Sequence, residues 1–179
     1  FGFGILKRSN KGTFNTAEGY VRSKLRHHAG PLEQAPCSMD VTSHRLVVNP
    51  DCPDLLATPS AFWAAVDAGV WKDDQHLALA ITLWFPNCRS HHLAMRAATE
   101  FAQARLADDR GLCVQVVAHA PSRIGHYGDF HVHEVISARA TDSGGLTTYA
   151  RDLLGQGGQL RLYAEWLDWK ATNAANLIG

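Results

Sequence analysis

Residues 112–139 read LCVQVVAHAPSRIGHYGDFHVHEVISAR, and the rest of the chain is best read outward from them. Both ends of the stretch are rich in Val and Ile, and a short polar and glycine-bearing loop lies between, which predicts two strands, 112–120 and 129–139. Strands joined so closely pair antiparallel. Along a strand, residues i and i+2 share a face, so His131 and His133 project side by side with Cα atoms about 7 Å apart. The preceding strand ends at His119, and the hairpin can bring this third imidazole beside the pair. Three neutral imidazoles on one sheet face make an open metal site, with positions left for water or substrate. Asp129 and Glu134 are near enough in sequence to orient the rings, although Glu134 points to the opposite face of a regular strand. His76 and His126 are further candidate ligands. His27–His28 and His91–His92 occupy adjacent helical positions, which do not converge, and read as surface groups.

Outward from the hairpin, residues 3–8 read as a strand. Asn15 or Thr16 can cap a helix running through Tyr20 to about His28. A strand over 43–48 follows, then a helix capped by Ser60 that ends near Gly69. The apolar run 76–85 stops at Pro86 and reads as a buried strand. Ser90 opens a long helix that Gly111 stops. Gly144–Gly145 and Gly155–Gly158 read as loops, and a helix over 159–176 closes the chain. The Pro-bearing stretches 29–40 and 49–60 are too short to separate domains, so residues 1–179 form one domain. The expected class is α+β, a mostly antiparallel central sheet of about five strands flanked by helices.

Composition narrows the function classes. With 179 residues, 46% hydrophobic and 19% charged, the chain is globular in type. A mean hydropathy of −0.16 and the absence of any apolar run near ~20 residues argue against a membrane span. The opening FGFGILKRSN lacks the apolar core of a secretory signal. Cys37, Cys52, Cys88 and Cys113 are not in Cys-x-x-Cys spacing, which predicts reduced thiols in a cytoplasmic protein. Net charge is zero but uneven: residues 1–30 carry Lys7, Arg8, Lys11, Arg22, Lys24 and Arg26 against Glu18, for +5, and the remainder is −5. A local anionic partner is implied, whereas the overall basicity of a general duplex binder is absent. Phe14, Tyr127 and Phe130 are candidate stacking platforms for a single strand.

Four stretches together resemble the relaxase domain of the MobA/MobL family, plasmid mobilisation nucleases of the HUH class. They are ILKRSNKGTFNTAEGYVRS (5–23), FWAAVDAGVWKDDQ (62–75), the histidine hairpin 112–139, and LRLYAEWLDWKATNAA (160–175). The resemblance implies an HUH relaxase-like fold. It also implies an enzyme that nicks one strand at a plasmid origin of transfer, with Tyr20 as the nucleophile that stays joined to the 5′ phosphate. His119, His131 and His133 would hold a divalent cation, with Mn²⁺ or Mg²⁺ as the working ion and Zn²⁺ as an alternative. Lys7, Arg8, Lys11, Arg22 and Lys24 would follow the path of the DNA strand. The implied partners are single-stranded or supercoiled plasmid DNA at the origin and relaxosome accessory proteins, with no membrane. The family carries one or two acids on its central strand, and the matching positions here are Ala80 and Thr82. That departure keeps a second reading open, a degenerate relaxase that binds DNA or a relaxosome partner without cutting. A third reading is an unrelated metal-binding α+β domain in which Tyr20 is structural.

Overall fold

The computed structural model describes residues 1–10, 12–36, 39–155 and 157–173. Lys11, Cys37 and the last residues expected in the closing helix lie outside these. The strands are β1 (Gly2–Lys7), a small hairpin of β2 (Ser9–Asn10) and β3 (Thr13–Phe14), β4 (Val41–Val47), β5 (His76–Phe85), β6 (Leu112–His119), β7 (Phe130–Asp142) and β8 (Gly145–Tyr149). The helices are α1 (Ala17–Leu25), α2 (Pro59–Ala68), α3 (His91–Phe101), the short α4 (Arg151–Leu154) and α5 (Gly158–Asn173). The main sheet runs β1-β5-β7-β6-β4, with β8 added along the far half of β7, and every pairing is antiparallel. The expected α+β architecture is therefore observed, with one more strand in the sheet than the sequence suggests. β8 escapes notice because Gly144 and Gly145 read as loop, whereas they form the turn that folds β8 back onto β7.

Helices cover both faces, as strands apolar on both sides require. Leu79, Ile81, Leu83, Val114, Val116, Val132 and Ile136 meet α3 and α5 through Ala94, Ala97, Phe101, Leu162 and Trp166. Ala78, Val117 and Val135 of the opposite face meet α1 and α2 through Ala17, Val21, Leu25, Phe62, Trp63 and Val66. Between α3 and β6 the chain passes through a π-helical stretch, Ala102–Asp108, and turns at Gly111, whose φ of +68° favours glycine.

The capping of two helices is instructive. α2 begins two residues earlier than a Ser60 cap would set it. Pro59 takes the first helical position, Thr58 caps by accepting from the Ala61 amide, and the Ser60 hydroxyl accepts from the Leu32 amide instead. α1 is capped by Thr16, which accepts from Gly19 N at 3.0 Å. A second acceptor comes from α2: the Asp67 carboxylate takes the Ala17 amide at 2.7 Å and the Glu18 amide at 3.1 Å. Asp67 thus ties the start of α1 to α2 and satisfies amides that the helix itself cannot. Asp67→Ala is expected to lower stability by about 1–2 kcal/mol, read as a reduced urea midpoint with unchanged slope.

Candidate metal centre and nucleophile

Strand register builds the site. β6 and β7 set His119 opposite His131, and β5 and β7 set Thr82 opposite His133. Cross-strand partners share a face, so all three imidazoles rise on the side that carries α1 and α2. The ring centroids are 5.3 Å apart for His119 and His131, 5.0 Å for His119 and His133, and 4.9 Å for His131 and His133. One nitrogen from each ring lies within 4.8 Å of the others.

Each ring is held through Nδ1. His119 Nδ1 donates to Asp40 Oδ2 at 3.0 Å, and His131 Nδ1 donates to the Asp129 carbonyl at 3.0 Å. His133 Nδ1 lies 3.0 Å from Thr82 Oγ1. That leaves Nε2 of each ring for the shared centre. His119 is 2% exposed, and its buried Nε2 has no hydrogen-bond partner among the described residues. An orphaned buried nitrogen facing two other imidazoles fits a cation. The donor set is neutral and all-imidazole, which suits Mn²⁺, Co²⁺, Ni²⁺ or Zn²⁺ better than Mg²⁺.

Electrostatics favour the ligating form. Burial, with the charges of Lys24, His119, His131 and Arg26 added, pulls His133 down to about 2 from 6.5. Burial also lowers His119, against the opposing pull of Asp40. Burial raises the Asp40 carboxyl, but its hydrogen bond to His119 and the charges of His119 and Arg26 outweigh this and hold it below the usual range. Arg26, the left-handed residue ending α1, lies 3.8 Å from Asp40 and so joins α1 to the site.

Tyr20 is half-buried on α1, with Lys24 Nζ 5.2 Å from its ring centroid. The two are four residues apart and share a helix face. Tyr20 packs against the core formed by Val21 and Leu25 of α1 with Val117 and Val135 of the sheet, on the sheet face that carries the triad. Burial raises the Tyr20 phenol above 10 and lowers the Lys24 amine, with Arg26 adding to the latter.

The basic residues of the N-terminal segment disperse in space. Gly2 pairs with Thr82 beside the triad, but Lys7 pairs with His76, so Lys7 lies roughly 16 Å along β1 from that end. Arg8 donates to the Asp67 carbonyl and stands over Phe14, and Arg22 is bound to Glu18 at 2.5 Å. Only Lys24 of the described members adjoins the site. Among the other candidates, His76 is held by Asp74 at the far end of β5, and Asp129 contributes its carbonyl rather than its carboxylate. Glu134 is buried on the opposite face, as expected. His91 is no free surface group: it stacks on Phe130 at 4.3 Å, which places Phe130 in the core, while Tyr127 is fully exposed. Asp40 was hidden from sequence reasoning, since it reaches His119 across 79 positions and no local motif marks it.

With this geometry described, comparison places the chain. An antiparallel sheet that presents three convergent imidazoles beside a tyrosine-bearing helix defines an α+β domain whose histidine triad could hold a metal ion. The profile of the MobA/MobL family matches residues 37–176, and the chain belongs to that family. The matched residues include Asp40 and the three histidines but not Tyr20. A solved chain from work on the molecular basis of vancomycin resistance transfer in Staphylococcus aureus is similar in fold, with a TM-score of 0.73 at 14% identity over 94% of this chain and 88% of that one. No curated protein matches the sequence.

Two outcomes follow for the centre. Asp40→Ala and Thr82→Val should each weaken Mn²⁺ or Zn²⁺ binding by about 10–100-fold in calorimetric titration, since each frees a ligand ring to turn. Without metal, His133 stays neutral when folded but takes a proton at its ordinary 6.5 when unfolded. The unfolded chain therefore binds more protons below that pH, and stability falls as pH drops through about 6.5. Urea midpoints measured in chelator at pH 7 and pH 5 should show this fall, and His133→Gln should reduce it.

Proposed function

We propose that this domain is a plasmid mobilisation relaxase, a metal-dependent nuclease that nicks one DNA strand at an origin of transfer. Family membership and the three-histidine centre beneath α1 support this reading, and the convergence of the rings carries it. A divalent cation held by three neutral rings would keep its full charge to neutralise the scissile phosphate and orient it for in-line attack.

The remaining roles fall to side chains of this chain. Tyr20 Oη attacks the phosphorus, and a P–O bond to the phenol forms as the bond to the 3′ oxygen breaks. The phenolic proton leaves, and the departing 3′ oxygen gains one. Burial holds that phenol above 10, so its anion depends on nearby positive charge. Lys24 supplies such a charge against the same ring. The phosphotyrosyl ester stores the energy of the broken bond, which allows the strand to be rejoined. Lys24 is the foremost phosphate contact of the N-terminal cluster. Lys7 is exposed at the distant end of β1 and can meet only a remote part of the strand.

Ala80 and Thr82 bring no carboxylate to the centre, and this favours a second reading, a domain that binds the strand without cutting it. One assay separates the two. Supercoiled plasmid or labelled single strand carrying the origin is incubated with Mn²⁺, and the protein–DNA adduct is resolved under denaturing conditions. The cutting reading expects an adduct that Tyr20→Phe reduces by at least about 10³-fold and chelator abolishes. Binding with no adduct supports the second reading, and equal activity of Tyr20→Phe and the unaltered protein eliminates the tyrosine mechanism.

A further inference from the structure

Trp84 is a half-exposed tryptophan that, among the described residues, has no aromatic or cationic partner on its ring. Trp63, Trp166 and Trp169 are buried in the two cores. Trp71 lies under the Arg139 guanidinium at 5.0 Å and meets Tyr149 edge-on. Trp84 is 48% exposed, and among the described residues no aromatic ring stacks on it. Its position is specific. Trp84 pairs with His131 on β7, and Thr82, two residues earlier on the same face, holds His133. The indole therefore rises beside the imidazole centre on the same side of the sheet. It reaches toward Gly2 at the end of β1, where a Cβ would come within 3.1 Å of Trp84 Cη2 and 3.3 Å of Thr82 Cβ. A residue without a side chain thus leaves room for the ring at the edge of the site.

An exposed indole is costly to keep in water, and a cation centre next to it selects what can cover it. A phosphate drawn to a cation held by the three imidazoles would bring an unpaired base within one nucleotide's reach of the indole. Arg26, 3.8 Å from the Asp40 carboxylate that holds His119, adds a positive charge on the β6 side that suits the same polyanion. We infer that Trp84 is a stacking platform for a nucleobase adjoining the scissile phosphate, so that it positions the single strand on the metal centre. This rests on the single-strand reading above. Trp84 touches the base and not the reacting atoms, which makes it a positioning residue.

The test uses the whole chain and two labelled probes, a short oligothymidylate and the same backbone without bases, followed by fluorescence anisotropy. The unaltered protein should prefer the base-bearing strand. Trp84→Ala and Trp84→Leu should lose about tenfold in affinity for oligothymidylate, while affinity for the base-less strand and for Mn²⁺ is kept. Trp84→Phe, which retains a ring, should stay within about threefold of the unaltered protein. Equal affinity of the unaltered and Trp84→Leu proteins for oligothymidylate overturns the stack and leaves the relaxase reading standing. Failure of the unaltered protein to bind either probe overturns that reading and the stack together.

Discussion

The antiparallel register of β5, β6 and β7 is the constraint from which the site follows. Pairing His119 with His131, and Thr82 with His133, fixes which side chains meet and on which face. Slipping one strand by a single residue would turn its imidazoles into the α3–α5 core and bring residues such as Val132 out to the site. The apolar partners on the opposite face, Ile81, Leu83, Val116 and Ile136, make such a slip costly. The core on one side of the sheet therefore enforces the chemistry on the other.

Polar contacts then refine what the backbone sets. Asp40, Thr82 and the Asp129 carbonyl occupy Nδ1 of the three rings and turn Nε2 inward. Only Asp40 brings a formal charge, and Arg26 lies against it. The same arginine ends α1, while Asp67 secures the other end of that helix. The helix bearing Tyr20 is thus tied at both termini, once to α2 and once to the metal centre. A phenol held this way would lose little freedom on meeting a phosphate, which suits the attacking role proposed for it.

Much of this was legible in the sequence because it is local. The period-two alternation around His131 and His133, the short connection to His119 and the Pro86 stop to β5 all act over a few residues, and the antiparallel hairpin they predict is the one observed. What could not be read depends on distance. Asp40 meets His119 only after the sheet closes. The basic residues that cluster in sequence between Lys7 and Lys24 are spread by the fold, since β1 carries Lys7 away from the triad and Asp67 and Glu18 engage Arg8 and Arg22. Trp84 was masked by the continuous apolar run of β5, in which it looks like one more core residue. The acids expected on that strand are replaced by Ala80 and Thr82, and Thr82 turns out to hold a ligand ring through a hydroxyl.

The most direct measurement is a crystal structure of the protein soaked in Mn²⁺, with the ion located by its anomalous scattering. This account places one ion about 2.1 Å from Nε2 of His119, His131 and His133 together, on the sheet face covered by α1. An ion seated on other residues, or three rings left without one at saturating metal, would contradict it.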